Sequence, residues 1–194
     1  MKQKHGKICY NVFKAGGGYA AVAAGSRGIE FFCLPQKSRR SACAKVEKYF
    51  KGAVKQEKGI DELEALCCVL SGYFETGTGD FSGVKTYLPG FTGFEKRVLA
   101  AVKKIPAGEV RTYGWIASAA GAAGAARAAG NALNKNPVPV LIPCHRVVKS
   151  SGDTGGFSEG IKWKKRLIEI EKIKGPEAAG ERKKNGCKKK KNTV

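Results

Sequence analysis

Three prolines stand within seven residues of this chain, in the run Asn136-Pro137-Val138-Pro139-Val140-Leu141-Ile142-Pro143. The run leads straight into Cys144-His145-Arg146-Val147-Val148. Proline lacks a backbone N–H and has a fixed φ, so this apolar stretch is excluded from an ordinary central strand. The expectation is a stiff, extended backbone with unpaired polar groups. It carries Cys144 beside His145 and Arg146, and cationic neighbours lower a thiol's pKa toward the reactive thiolate. Consecutive residues of an extended chain point apart, so Cys144 and His145 need a bridging water or a local bend to act as a pair. A buried, inert thiol in an apolar stretch is the other reading, and residue chemistry alone leaves both open.

Glycine and proline punctuate the rest. Ile8 to Lys14, Tyr19 to Ala24 and Ile29 to Leu34 read as three strands, separated by turns at Gly16-Gly17-Gly18 and at Gly25 to Gly28. The glycine run lacks the following Lys-Ser or Lys-Thr of a phosphate-binding loop, so it reads as hairpin chemistry. Ser41 to Phe50 and Asp61 to Phe74 read as helices, the second with an apolar face of Leu63, Leu66, Cys67-Cys68, Val69 and Leu70. Residues 77–90 read as loop and mark a boundary. Beyond it, Phe94, Val98, Val102 and Ile105 share one helical face, ended by Pro106 and Gly108. Thr112 to Ala120 and Ala122 to Leu133 form two further helices around Gly121, a helix-turn-helix candidate. The last helix is nearly bare: seven alanines and one long cation, Arg127. Small residues suit tight helix packing. They equally suit close approach to a nucleic-acid groove without base-edge readout, because alanine offers no hydrogen bonds to bases.

The 36 Lys and Arg against 16 Asp and Glu give a net charge of +20. Such a charge makes a polyanion the first partner to consider, nucleic acid before a membrane surface. Gly175 to Val194 contributes seven basic and two acidic residues with almost no apolar ones, and is expected to be a disordered basic tail. The remainder keeps +15, so the argument does not depend on the tail. No stretch approaches 18 apolar residues, which excludes a membrane-spanning helix. The start of the chain is Lys-rich without an apolar signal core, so secretion is not expected. Seven cysteines without a Cys-x-x-Cys pair suggest reduced thiols in a cytosolic setting and no zinc signature. His5 and Cys9 are four apart but lie at a strand start, a poor metal pair.

Pro143-Cys144-His145-Arg146-Val147 resembles the active-site motif of the O6-alkylguanine-DNA alkyltransferases. Gly108-Glu109-Val110 with Thr112-Tyr113-Gly114 is similar to that family's entry into the helix-turn-helix. Ala126-Arg127-Ala128 is similar to its recognition helix, and Asn136-Pro137-Val138-Pro139 to its asparagine hinge. Gly155-Gly156-Phe157-Ser158 and the helix ending at Glu171 are similar to its pocket wall and last helix. The likeness runs in order from about Phe91 to Lys172. It implies an α/β (α+β) fold: residues 1–90 as a small antiparallel sheet with helices, ribonuclease H-like, and 91–174 as a mostly helical unit with a winged-helix type of helix-turn-helix.

The resemblance also implies a reaction, the irreversible, single-turnover transfer of an alkyl group from guanine O6 in DNA to the protein's own cysteine. Cys144 is then the nucleophile, His145 takes its proton through a water, and Glu171 orients His145. Tyr113 donates to the base, and Asn136 holds the turn before Cys144. The target atom is hidden in a duplex, so the nucleotide must flip out, with Arg127 filling the vacated stack. Leu133, Phe157, the Val147 carbonyl and the Ser158 amide line the pocket, and Ser150 touches the DNA backbone. No cofactor and no metal are implied. The partner is double-stranded DNA carrying O6-alkylguanine, bound by a monomer. The setting is cytoplasmic, at the nucleoid, in a prokaryote, or nuclear in a eukaryote. Three residues depart from the family pattern: Glu159 at the pocket mouth, Gly114 in place of a polar residue, and Phe157 where Tyr is also used. A lesion-sensing binder without transfer, a helix-turn-helix regulator and a cysteine hydrolase are the competing classes. Cys144 argues against the first, the bare third helix against the second, and the want of identifiable oxyanion donors against the third.

Overall fold

The computed structural model describes residues 7–55 and 61–172. The expectations for the basic tail, His5 and Cys187 lie outside the described residues.

The first three strands form where glycines allow the chain to reverse. Strands β1 (Cys9–Ala15), β2 (Gly18–Gly25) and β3 (Gly28–Gln36) make an antiparallel meander. Gly16 and Gly17 take φ of 56° and 78° in the first turn, conformations that cost a side-chain-bearing residue dearly. Helix α1 (Arg39–Tyr49) starts at a capping box in which Ser38 and Ser41 exchange hydrogen bonds, two residues before the expected start. A two-residue strand, β4 (Val54–Lys55), then pairs parallel to β1 and gives the sheet order β3-β2-β1-β4.

Side chains of a strand alternate between faces, and both faces of this sheet are covered. Phe31 and Cys33 meet Ala42 and Val46 of α1 on one side. Phe32 and Leu34 meet helix α2 (Asp61–Thr76) on the other, through Leu66, Leu70 and Tyr73. Of the expected α2 face, Val69 and Cys68 are exposed while Cys67 is buried. Neighbours on a helix point about 100° apart, so a run of apolar residues cannot all face inward.

The second cluster continues without a break into the helical half, where Val98, Leu141 and Leu167 share it with Leu34 and Tyr73. Within residues 77–90, Lys85 to Tyr87 run along the outer edge of β3. The Ile29 N–H donates to the Lys85 carbonyl and the Tyr87 N–H donates back to Ile29. Helix α3 (Gly93–Lys103) opens with a Thr92–Glu95 capping box and buries Val98 and Val102, as its periodicity requires. A two-residue strand, β5 (Arg111–Thr112), leads into α4 (Tyr113–Ala119), whose N-cap is Thr112. Helix α5 (Ala126–Asn134) begins four residues later than the alanine run suggests. Gly121 and Gly124 take φ of 77° and 85°, so Ala122 to Ala125 become the turn of the helix-turn-helix instead of its second helix. Strand β6 (Val147–Val148) pairs parallel to β5, and α6 (Ile161–Ile170) closes the described chain.

Candidate active site

The proline run is not the open, unpaired strand its sequence suggests. Asn136 gathers it into a closed loop: its Oδ1 accepts the Val138 N–H at 3.1 Å and its Nδ2 donates to the Ile142 carbonyl at 2.9 Å. The Ile142 N–H returns to the Val138 carbonyl, and the Pro137 carbonyl accepts the Phe32 N–H from the edge of β3. Val140, at the tip, is forced to a φ of 72°, a strained conformation for a β-branched residue. Strain of this kind persists only where the surroundings over-determine it, and the Asn136 bonds do so here. The loop delivers Cys144 onto a single 3₁₀ turn, Cys144–Arg146. Even on this turn no hydrogen bond joins Cys144 Sγ to the His145 ring, so the pair still needs a bridging water.

Cys144, His145 and Arg146 are all buried. Asn136 Nδ2 also donates to Cys144 Sγ at 3.2 Å. Burial pushes the thiol's pKa up, against the pull of the Asn136 hydrogen bond and the Lys164 charge, so the resting group is a neutral thiol. His145 Nε2 lies 2.9 Å from Glu171 Oε1. The same carboxylate takes bonds from Tyr73 Oη at 2.7 Å and from Arg146 Nη2 and Nε at 2.7 and 2.8 Å. Burial alone raises a carboxyl's pKa. In Glu171 the His145, Arg146 and Tyr73 bonds outweigh burial and hold it down at about 2. An anionic Glu171 fixes the imidazole proton on Nε2 and leaves Nδ1 as the lone-pair nitrogen. Nδ1 is buried and has no protein hydrogen-bond partner. Burial lowers the pKa of His145, which keeps the ring neutral with Nδ1 free of a proton.

On its other side Cys144 faces a cavity of about 580 Å3. Of the residues expected at the site, Tyr113, Arg127, Leu133, Ser150, Phe157 and Ser158 line it with Cys144. His145, Glu171 and Asn136 stand behind the thiol, away from the cavity. Val147 is not among the lining residues: its side chain is buried and its carbonyl accepts from Lys164 Nζ at 2.6 Å. Gly114 also lines the cavity. Gly155 takes a φ of 69°, and a Cβ there would stand 2.9 Å from the Tyr113 hydroxyl, so only glycine lets the wall approach so closely.

Lys164 is the residue that sequence reasoning missed. It is fully buried, its Nζ donating to the Val147 carbonyl and lying 3.4 Å from both Tyr113 Oη and the Gly156 carbonyl. Desolvation lowers its pKa to about 8. It ties the Cys144 segment, the tyrosine and the cavity wall together. A faint signal exists: Lys164, Leu167 and Glu171 share the inward stripe of α6 at helical spacing. The surrounding Lys162, Lys165 and Arg166 disguise it as part of a solvated run. Among the described residues no group of three or more His, Cys, Asp or Glu side chains could hold a metal ion.

The second helix of a helix-turn-helix walls a cavity with one buried thiol on its floor and a histidine–carboxylate pair behind, the parts that nucleophilic cysteine chemistry requires. The family described as 6-O-methylguanine DNA methyltransferase, DNA binding domain, matches residues 93–173. The methylated-DNA--protein-cysteine methyltransferase of Methanothermobacter thermautotrophicus is 48% identical over 84 residues, 43% of this chain and 47% of the relative. The match thus spans about half of that relative's length. The protein of the same name from Saccharolobus islandicus is 34% identical over 179 residues, covering 88% of this chain and 99% of its own. The crystal structure of Mycobacterium tuberculosis OGT in complex with DNA superposes with a TM-score of 0.69 at 33% identity, over 84% of this chain and 92% of that one. The chain belongs to the methylated-DNA--protein-cysteine methyltransferase family.

Proposed function

We propose that this chain repairs O6-alkylguanine in double-stranded DNA by moving the alkyl group to Cys144, once per molecule. The observation that carries the reading is the position of Cys144. Its thiol lies on the floor of the cavity beside the helix-turn-helix, with the unpartnered Nδ1 of the Glu171-anchored His145 in the adjoining residue. A water bridging Sγ and His145 Nδ1 carries the thiol proton to the imidazole as Sγ attacks the alkyl carbon. The sulfur–carbon bond forms as the carbon–O6 bond breaks, and guanine keeps the electron pair. Tyr113 faces the leaving base as a donor. In the net reaction the thiol proton ends on guanine and the alkyl group on sulfur, so no cofactor or co-reactant is required. Asn136 and Lys164 supply the pull toward thiolate that burial opposes. A thioether has no ready route back to thiol, which makes the transfer final.

The cavity is reached by a nucleotide only when it leaves the stack. Arg127, exposed on α5 between Ala126 and Ala128, fits the space the nucleotide vacates. The positive charge of the chain supports phosphate binding that is not sequence-specific. A monomer is sufficient for this chemistry. The six cysteines among the described residues are free, which suits a reducing compartment, the cytoplasm of a prokaryote or the nucleus of a eukaryote. No helix among the described residues is long and apolar enough to cross a membrane.

The test is intact-protein mass after mixing with duplex DNA carrying O6-methylguanine, followed by peptide mapping. The expected result is one methyl per molecule, on Cys144. No gain, with retained preference for the damaged duplex, would assign the chain to lesion sensing without transfer.

A further inference from the structure

Glu159 has no part in the chemistry above, yet it sits between Ser158, which lines the cavity, and Gly160, the N-cap of α6. The wall around it has no regular ladder. Gly155 and Gly160 take φ of 69° and 92°, and the Gly160 N–H turns back onto the Phe157 carbonyl. On the inner side Lys164 reaches the Gly156 carbonyl. On the outer side Lys45 Nζ donates to Glu159 Oε2 at 2.6 Å, joining residues 114 positions apart. The base of that second tie is firm, because Ala42 and Val46 fix α1 to the sheet and are fully buried.

Arg127 and Lys149 line the same cavity. For a carboxylate on the wall, these cations are the competing attraction, across the mouth through which a nucleotide must pass. Glu159 does not line the cavity, and its carboxylate is drawn to α1.

We propose that the Lys45–Glu159 ion pair is a strut that holds the carboxylate out of the pocket mouth, so that α1 sets the width and charge of the entrance and thereby which alkyl groups reach Cys144. The proposal deepens, and rests on, the reading of Cys144 as an alkyl acceptor. Lys45 and Glu159 are positioning residues. With the pair closed, the mouth offers cations to phosphate and the Phe157–Ser158 wall stands back. With it open, an anion enters the mouth and the wall loses its outer tie.

The test compares transfer rates from duplexes carrying O6-methylguanine and O6-benzylguanine. On the same proteins it compares labelling of Cys144 by iodoacetate, an anion, with labelling by neutral iodoacetamide, mapped by peptide mass. Lys45→Ala is expected to slow both transfers, the benzyl one more, by up to about fivefold, as befits a half-exposed pair. It should lower the iodoacetate-to-iodoacetamide ratio at Cys144 to a similar degree. Adding Glu159→Gln to Lys45→Ala should restore the ratio, and Lys45→Arg should match the unmodified chain. An unchanged ratio in Lys45→Ala, or a double variant no better than the single one, overturns the strut. The labelling ratio does not depend on DNA repair. A chain that takes no alkyl group from DNA yet shows the ratio change defeats the proposed reaction and leaves the strut standing.

Discussion

The two sides of Cys144 are built on opposite plans. Behind it, three side chains from two separated stretches converge on the Glu171 carboxylate at the end of α6: Tyr73 from α2, and His145 and Arg146 from the 3₁₀ turn. Every member is buried. In front of it, Tyr113, Arg127, Ser150 and Ser158 surround open space with few bonds among themselves. The rear is a buried polar network, where each lost partner leaves another group stranded. The front is a surface waiting for a ligand to complete it. On the proposed reading, the rear holds the base in one tautomer and the front admits a bulky nucleotide, and the two tasks need the two plans. The boundary between them falls at the sulfur.

The comparison breaks most severely at Glu171. Glu171→Gln removes the charge that faces Arg146, whose guanidinium is buried and otherwise reaches, among the described residues, only the Ile105 carbonyl. Stranding one member of a buried ion pair costs about 3–5 kcal/mol, readable by urea unfolding at neutral pH. The same carboxylate sets an acid limit. Its pKa falls from an ordinary 4.5 to about 2, so its stabilisation is complete above pH 4.5 and is lost as the pH falls from 4.5 toward 2. That shift corresponds to on the order of 3 kcal/mol. In Glu171→Gln this acid limb should flatten. A limb of unchanged depth would show that the rear network draws its stability from elsewhere.

Asn136 stands between the two plans and should give the next largest effect. Asn136→Ala strands the Val138 N–H, leaves the Ile142 carbonyl with the Cys144 N–H as its one donor, and removes the bond to Sγ. Each unsatisfied buried group costs about 1–3 kcal/mol, and the strained Val140 loses the closure that holds it. The expected outcome is a loss of about 2–4 kcal/mol together with a thiol that ionises at higher pH, read from the pH dependence of iodoacetamide labelling at Cys144. A stability loss with an unmoved labelling profile would make Asn136 a loop brace without influence on the sulfur.

How much of this was legible in the sequence follows the same division. The strands around Gly16 and Gly25 and the faces of α2 and α3 are local patterns of period two and 3.6, and they emerged close to their bounds. The two-residue strands β4, β5 and β6 carry no periodic signal, because two residues cannot show a period. They exist through tertiary pairing alone. The alanine run concealed the start of α5, since alanine favours helix everywhere and only Gly124 marks the break. At the site, the Cys144 neighbourhood announced itself through prolines and cations. Glu171 was reached only through family resemblance, being 26 residues from His145. Lys164 and the Lys45–Glu159 pair had no local mark, because what distinguishes them is burial or distant pairing, and neither property belongs to a residue type.

The smallest effect on the fold belongs to the front, where function is expected to part from stability. Arg127 is exposed on α5, and Ala126 and Ala128 beside it already show that the helix accepts alanine. Arg127→Ala should therefore leave unfolding within about 0.5 kcal/mol. Its loss should fall on damaged DNA. An arginine that fills a vacated stack is needed when the nucleotide is out, and contributes only a phosphate's worth of attraction when it is in. Transfer from O6-methylguanine in a duplex should thus drop at least about tenfold, a cost on the scale of unstacking, while affinity for undamaged duplex changes little. Transfer from the same lesion in a single strand, where no stack needs filling, should be nearly unaffected. If duplex and single-strand rates fell together, Arg127 would be an ordinary phosphate contact, and the front would be held to DNA by charge without any side chain dedicated to the flip.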